Sequence, residues 1–203
     1  MTKAGALRLG EQKELSGRAW TGRFPGSNSL RDLKMPFRDS VRAFIDALRS
    51  ANATVKIAAT FRPPERAYLM HWSWRIVKQG FDPSKVPSMP GIEIEWAHNG
   101  TDGKYSREAS VAAASEMVHG FEIDHLGVAP ALASRHTSGF GIDMRISWIG
   151  HLSIVDADGD TVEIVHWPHT GLNPTLQEVG ASYGVIKYNR SGRDDPHWSD
   201  NGA

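Results

Sequence analysis

Nine histidines and no cysteine set what metal chemistry this 203-residue sequence can hold. Without thiolates, a zinc ion must be bound through imidazole nitrogen and carboxylate oxygen, and a catalytic site needs three such ligands with a further position left for water. The stretch Ser134-Arg-His136-Thr-Ser-Gly139-Phe-Gly141-Ile-Asp143 offers two of them. His136 and Asp143 stand at either end of a turn that enters a strand, so both side chains can face one point. The third candidate is His197 in Asp194-Asp195-Pro196-His197-Trp198, because it follows the last expected strand. The carboxylates immediately upstream of it could serve as a general base beside a metal-bound water.

These residues need elements to carry them. From Phe37 the apolar set Phe37, Val41, Phe44, Ile45 and Leu48 repeats at helical spacing behind Pro36, which predicts an amphipathic helix ending near Asn52. Val55 to Phe61 is an apolar run of strand length, stopped by Pro63-Pro64 ahead of a second helix over 65–78. Ile92 to Trp96 alternates apolar and acidic residues, as a half-buried strand does, and Ser106 caps a third helix reaching His119. Strands are expected over 142–148, 152–155 and 161–166, the last two joined by a turn at 156–160. A short helix opened by Asn173-Pro174 and a last strand over 184–188 complete the pattern. Helices and strands alternate irregularly and hairpins are present. The expected class is therefore α+β, a mainly antiparallel sheet flanked by helices, rather than a doubly wound fold. Residues 1–34 are polar, with an aromatic island at Trp20 and Phe24, and read as a loosely held arm before a single domain over 35–203.

Three motifs, in this order along the chain, resemble the signatures of a family of zinc peptidases. Thr60-Phe61-Arg62-Pro63-Pro64-Glu65-Arg66 is similar to the family's arginine after a strand and before a Pro- and Glu-containing helix start. Ser134-x-His136-x-x-Gly139-x-Gly141-x-Asp143 resembles its SxHxxGxxxD element. Asp194-Asp195-Pro196-His197-Trp198 resembles its acidic residue placed three before a His-aromatic pair. The family includes D-Ala-D-Ala dipeptidases of vancomycin resistance, D,D-carboxypeptidases and L,D-endopeptidases of phage endolysins, and it shares its fold with the Hedgehog signalling domain. The resemblance covers residues 37–200, and three ordered motifs are far more specific than any one.

The resemblance implies a zinc ion on His136, Asp143 and His197. It gives Asp194 the task of taking a proton from the attacking water and passing it to the leaving amine. Arg62 would hold the scissile carbonyl and stabilise its oxyanion, with Ser134 and Trp198 as support behind the ligands. Many relatives carry Glu as the base; Asp194 is one methylene shorter, and Asp195 is its rival. The implied substrates are peptidoglycan stem peptides, cut at a bond of D-Ala-D-Ala or L-Ala-D-Glu type.

Other residues invite plainer readings. His98, His166 and His169 lack convincing third partners for a metal, and His71, Trp72 and Trp74 form a helical stripe that packs. Asp156-x-Asp158-Gly-Asp160 lacks the position-six glycine and terminal Glu of a calcium loop and reads as a solvated hairpin turn. With 23 basic and 23 acidic residues, the chain has no overall field to hold it on nucleic acid or an anionic membrane. No apolar signal segment opens the sequence, and no stretch reaches the ~18 residues that span a bilayer. A wall-cutting enzyme of this kind would be made in the cytoplasm and would reach the wall after lysis or through a dedicated secretion machine, or would act in the cytosol on wall fragments or precursors. An endolysin and an injected antibacterial effector both fit, and an effector would need an immunity protein as its partner. The competing class is a wall- or protein-binding module that keeps the fold without catalysis. The complete set of ligands, base and arginine argues against it.

Overall fold

The computed structural model describes residues 13–188 and 196–203. In chain order the elements are β1 (Glu14–Leu15), α1 (Phe37–Ser50), β2 (Thr54–Ala59), α2 (Pro64–Gln79), β3 (Ile94–Glu95), α3 (Arg107–Gly120), α4 (Arg135–Ser138), β4 (Gly141–Ser147), β5 (Leu152–Val155), β6 (Thr161–Ile164), α5 (Pro174–Ser182), β7 (Ile186–Lys187) and β8 (His197–Ser199), with three short 3-10 turns between them. They fall into two compact units: Met1–Phe24 with Glu65–Pro130, and Pro25–Pro64 with Ala131–Ala203. Among the described residues no helix is long and apolar enough to cross a membrane.

The first unit is built on α2 and α3. Leu69, Trp72, Ile76, Met117 and Val118 bury the facing sides of these helices, together with Ile94 and Trp96 from the β3 region. Ser106 caps α3 as its residue type predicts, its Oγ accepting the Ala109 N–H at 3.1 Å. The Ile92–Trp96 alternation shrinks to two paired residues, because β3 meets only the equally short β1, in parallel. His71, Trp72 and Trp74 do pack, as a stripe at helical spacing predicts: Trp72 and Trp74 are buried, and His71 sets Nδ1 2.8 Å from the Pro130 carbonyl.

The second unit carries the sheet. Its four strands run in the order β2-β4-β8-β7, every pairing antiparallel, and β5 and β6 form a separate hairpin. The predicted stripe of Phe37, Val41, Phe44, Ile45 and Leu48 is the buried face of α1. It packs with Ile142, Met144 and Ile146 of β4 and with Trp198 of β8 in one core, each such side chain contributing about 1.5–3 kcal/mol on burial. The helix stops two residues short of Asn52, which takes φ 63°. The N–H groups of Asn52 and Ala53 close the last turn onto the Arg49 and Leu48 carbonyls. Asn173 caps α5 through Oδ1 to the Leu176 N–H, and Asp156 Oδ1 accepts from the Asp158 and Asp160 N–H groups in the hairpin turn. The class is thus α+β with a mainly antiparallel sheet, as the irregular alternation of elements predicts.

Of the residues expected as an arm, 13–24 belong to the first unit, where Trp20 is buried and its indole N–H donates to the Leu15 carbonyl at 3.0 Å. Residues 25–34 belong to the second, where Leu33 is buried and Ser27 bridges to Phe61. Residues 1–12 lie outside the described part. Two strands are absent from the sequence reading altogether, β1 within the expected arm and β8 near the last residues. β8, three residues long, sits between β4 and β7 in the sheet and carries His197.

Candidate metal centre

His136, Asp143 and His197 come together from three elements of the second unit. Asp143 lies on β4, where buried Ile142, Met144 and Ile146 alternate with the less buried Asp143, Arg145 and Ser147. Period-two alternation therefore sends Asp143 to the face away from the core. In the β4–β8 ladder Asp143 stands directly opposite His197, which puts the two side chains on the same face. His136 comes from α4, the single helical turn just before β4.

Two glycines make that approach possible. Gly139 ends α4 with φ 79°, the left-handed conformation that lets its N–H return to the His136 carbonyl. Gly141 begins β4 against the back of α4. A Cβ there would lie 3.0 Å from the Arg135 carbonyl carbon, the Arg135 Cβ and the His136 nitrogen. Only a residue without a side chain lets the strand carrying Asp143 start so close to the turn carrying His136.

The three inward atoms form a triangle: His136 Nε2 to Asp143 Oδ1, His136 Nε2 to His197 Nδ1, and His197 Nδ1 to Asp143 Oδ1 are each 3.0 Å. The outward nitrogens decide what faces inward. His136 Nδ1–H donates to the Thr60 carbonyl at 3.1 Å, and His197 Nε2–H donates to the Ala203 oxygen at 3.2 Å. With each neutral ring's proton committed outward, both imidazoles turn a lone pair towards the carboxylate. Three acceptor atoms at that spacing, on imidazoles only 5% exposed, repel one another unless positive charge lies among them. When a proton on an inward nitrogen rather than a metal supplies that charge, burial by itself pushes the Asp143 carboxyl up, but hydrogen bonds and positive charge from His136 and His197 outweigh it and hold the carboxyl well below the ordinary range.

A metal ion satisfies all three atoms at once. Two imidazole nitrogens and a carboxylate oxygen suit zinc, whose tetrahedral bonds of 2.0–2.1 Å set neighbouring ligand atoms about 3.3 Å apart. The observed triangle is within a few tenths of an ångström of that spacing, and both imidazoles already have the outward partners that fix a ligand's tautomer.

The other expected site residues fall at different distances from this centre. Arg62 follows β2, and its backbone N–H donates to the His136 carbonyl at 3.3 Å. It is half-buried, and its guanidinium has no hydrogen-bond or ion-pair partner among the described residues. Ser134 precedes α4, where its N–H donates to Thr137 Oγ1 at 2.9 Å, while its own hydroxyl is buried without a partner among the described residues. Trp198 points into the core, 5.6 Å from Phe44 between ring centroids. Asp194 and Asp195 lie outside the described residues.

Several neighbours of the ligands carry no signal in the sequence. The Thr60 carbonyl that orients His136 is presented by an irregularity in the β2–β4 pairing, where Ile57 faces Met144 and Ala59 faces Asp143, leaving Ala58 unpaired. Thr60 is itself buried and its hydroxyl reaches the Ser27 and Ser29 carbonyls at 3.1 and 2.9 Å. Arg135 and Asp200 form a two-pronged ion pair, Nε to Oδ1 at 2.8 Å and Nη2 to Oδ2, that ties the turn carrying His136 to the turn after β8. The Tyr188 ring meets the His197 ring edge-on at 5.8 Å. A cavity of about 270 Å³ in the first unit, lined by residues such as Tyr68, Met89 and Trp96, contains none of the ligands.

No protein-family model matches the chain, and no curated protein does. Among solved structures it is similar to a mutant of VanY, the vancomycin-resistance D,D-pentapeptidase from a VanB-type resistance cassette, in complex with Zn(II). The identity is 14% and the TM-score 0.37, over 82% of this chain and 71% of that one.

Proposed function

We propose that this protein is a zinc-dependent hydrolase that cuts peptide bonds in peptidoglycan stem peptides, of the D,D-carboxypeptidase or L,D-endopeptidase type. The observation that carries the reading is the buried His136–Asp143–His197 triangle, with both imidazole lone pairs turned inward by backbone partners. The three ordered sequence motifs that resemble the zinc peptidases supply the substrate class. A zinc ion held by these residues supplies Lewis-acid activation of water and of the scissile carbonyl.

The chain's own residues supply the rest. Arg62, whose backbone N–H donates to the His136 carbonyl, takes through its guanidinium the negative charge that develops on the scissile carbonyl oxygen. Asp194, with Asp195 as its rival, takes the proton of the attacking water and returns it to the leaving amine. Thr60 keeps His136 in the tautomer that leaves Nε2 free to bind. Delivery to the wall as an endolysin or as an injected effector with an immunity partner is compatible with this activity.

A second reading is favoured by the triangle's edge. Two histidines and one carboxylate also make the facial triad of ferrous enzymes, whose octahedral geometry sets ligand atoms about 3.0 Å apart. Metal content after expression in balanced medium separates the two, zinc supporting the hydrolase and stoichiometric iron an oxidative enzyme. The test of the activity is mass spectrometry of sacculi, isolated muropeptides and free D-Ala-D-Ala after incubation with zinc-loaded protein, with His136→Ala as control. A new amine-bearing fragment absent from the control names the bond. Absence of cleavage from all three substrates transfers the reading to a binding module.

A further inference from the structure

The face of the sheet that carries Asp143 and His197 also carries two cations without an ion-pair partner among the described residues. Arg145 is two residues beyond Asp143 on β4 and so shares its face, with Cα atoms about 7 Å apart. Lys56 of β2 stands directly opposite Arg145 in the ladder and therefore points to the same side. Both are exposed, and among the described residues neither forms an ion pair with an acidic side chain. Like charges directly opposed across antiparallel strands destabilise the pairing. The acidic group nearest along the strand, Asp143, is committed to the two imidazoles. The remaining residues of β2 and β4 on this face that could answer the charge are Thr54 and Ser147, paired with each other and uncharged.

We infer that Lys56 and Arg145 form an anion subsite beside the metal centre that binds a carboxylate of the substrate. Resting on the stem-peptide reading above, this names what the enzyme would require of its peptide: a free carboxylate one or two residues from the scissile bond. Two cationic side chains on adjacent strands converge on one anion from two directions, and Arg145 offers the planar fork that pairs with a carboxylate through two parallel hydrogen bonds. With a neutral peptide, no acidic side chain among the described residues pairs with the two cations. A carboxylate placed there removes the repulsion and positions the chain along β4 towards Asp143 and Arg62.

The experiment compares D-Ala-D-Ala and L-Ala-D-Glu with their fully amidated counterparts on the zinc-loaded protein. Calorimetry gives Kd for an uncleaved peptide and KM for a cleaved one, and mass spectrometry reports cleavage separately. For at least one of the two peptides, the free acid is expected to bind about tenfold or more tightly than the amide. The Lys56→Ala/Arg145→Ala protein should reduce that ratio to about one, with zinc content unchanged because neither residue touches a ligand atom. Arg145→Lys should retain part of the ratio, since it keeps the charge and loses the fork. An acid bound in preference to its amide but left uncleaved supports the subsite, and if sacculi and muropeptides are also left intact the peptidase reading is overturned while the subsite stands. Equal binding of acid and amide by the wild type, a ratio that survives in the double variant, or no binding of either acid overturns the subsite and leaves Lys56 as an edge-strand charge that deters pairing.

Discussion

Gly141→Ala is the substitution that most directly tests how the centre is assembled. The added methyl carbon would meet three atoms at 3.0 Å, the Arg135 carbonyl carbon, the Arg135 Cβ and the His136 nitrogen. Ordinary contact begins near 3.4 Å, so strand and turn must part by a few tenths of an ångström. Two of the three atoms are backbone and cannot rotate away. Overpacking of this kind costs about 1–3 kcal/mol, which for a chain of this length lowers Tm by roughly 2–12 °C. The same movement separates His136 from Asp143, because Gly141 starts the strand on which Asp143 sits two residues later. Zinc affinity should therefore fall by about 10- to 100-fold, the range seen when the support behind a ligand is lost. Gly171→Ala is the control, since a Cβ there meets its nearest neighbour, Trp198, at an ordinary 3.5 Å. The assays are chelator competition for zinc and thermal unfolding with and without the metal. A Gly141→Ala protein with wild-type zinc affinity and wild-type Tm would refute the claim that close approach of α4 and β4 builds the site.

Breaking the Arg135–Asp200 pair by Arg135→Ala should cost about 1 kcal/mol of stability, because both side chains are partly exposed, and should weaken zinc binding by loosening His136 against His197. The exchange Arg135→Asp with Asp200→Arg should recover part of that affinity; no recovery in chelator competition would reduce the pair to a surface contact. In the metal-free protein, the lowered pKa of Asp143 gives the sign of an acid effect. Its contribution to folding is complete above about pH 4, where the unfolded carboxyl is ionised, and is lost progressively as the pH falls from there through the lowered folded value. Urea unfolding of wild type and Asp143→Asn at acid pH should show a stability difference that changes against the wild type as the pH falls below about 4; a difference independent of pH in that acid range would contradict the assignment.

Much of the second unit was legible in the sequence because local rules and tertiary packing agree there. The α1 stripe, the β5–β6 hairpin with its aspartate turn and the Asn173 cap all follow from spacing and residue type. The metal candidates were legible for a different reason. His136 and Asp143 are separated by one turn and one strand start, so chain connectivity alone keeps them close. His197 was found by its motif, and nothing local predicts its strand. β8 is three residues long and is a strand because β4 and β7 flank it, so its existence is a property of the sheet.

The sequence by itself determined which atoms can bind: with no cysteine, a metal must use imidazole and carboxylate, and the order of the three motifs points to three of them. It also determined the glycines that allow a helical turn to sit against a strand. Only the tertiary structure decided which nitrogen of each histidine faces inward, because that depends on carbonyls supplied by Thr60, 76 residues from His136, and by Ala203. It likewise decided that Asp143 opposes His197 and that Lys56 opposes Arg145. Register couples positions far apart in the chain, and no local pattern records which residue will lie across from which.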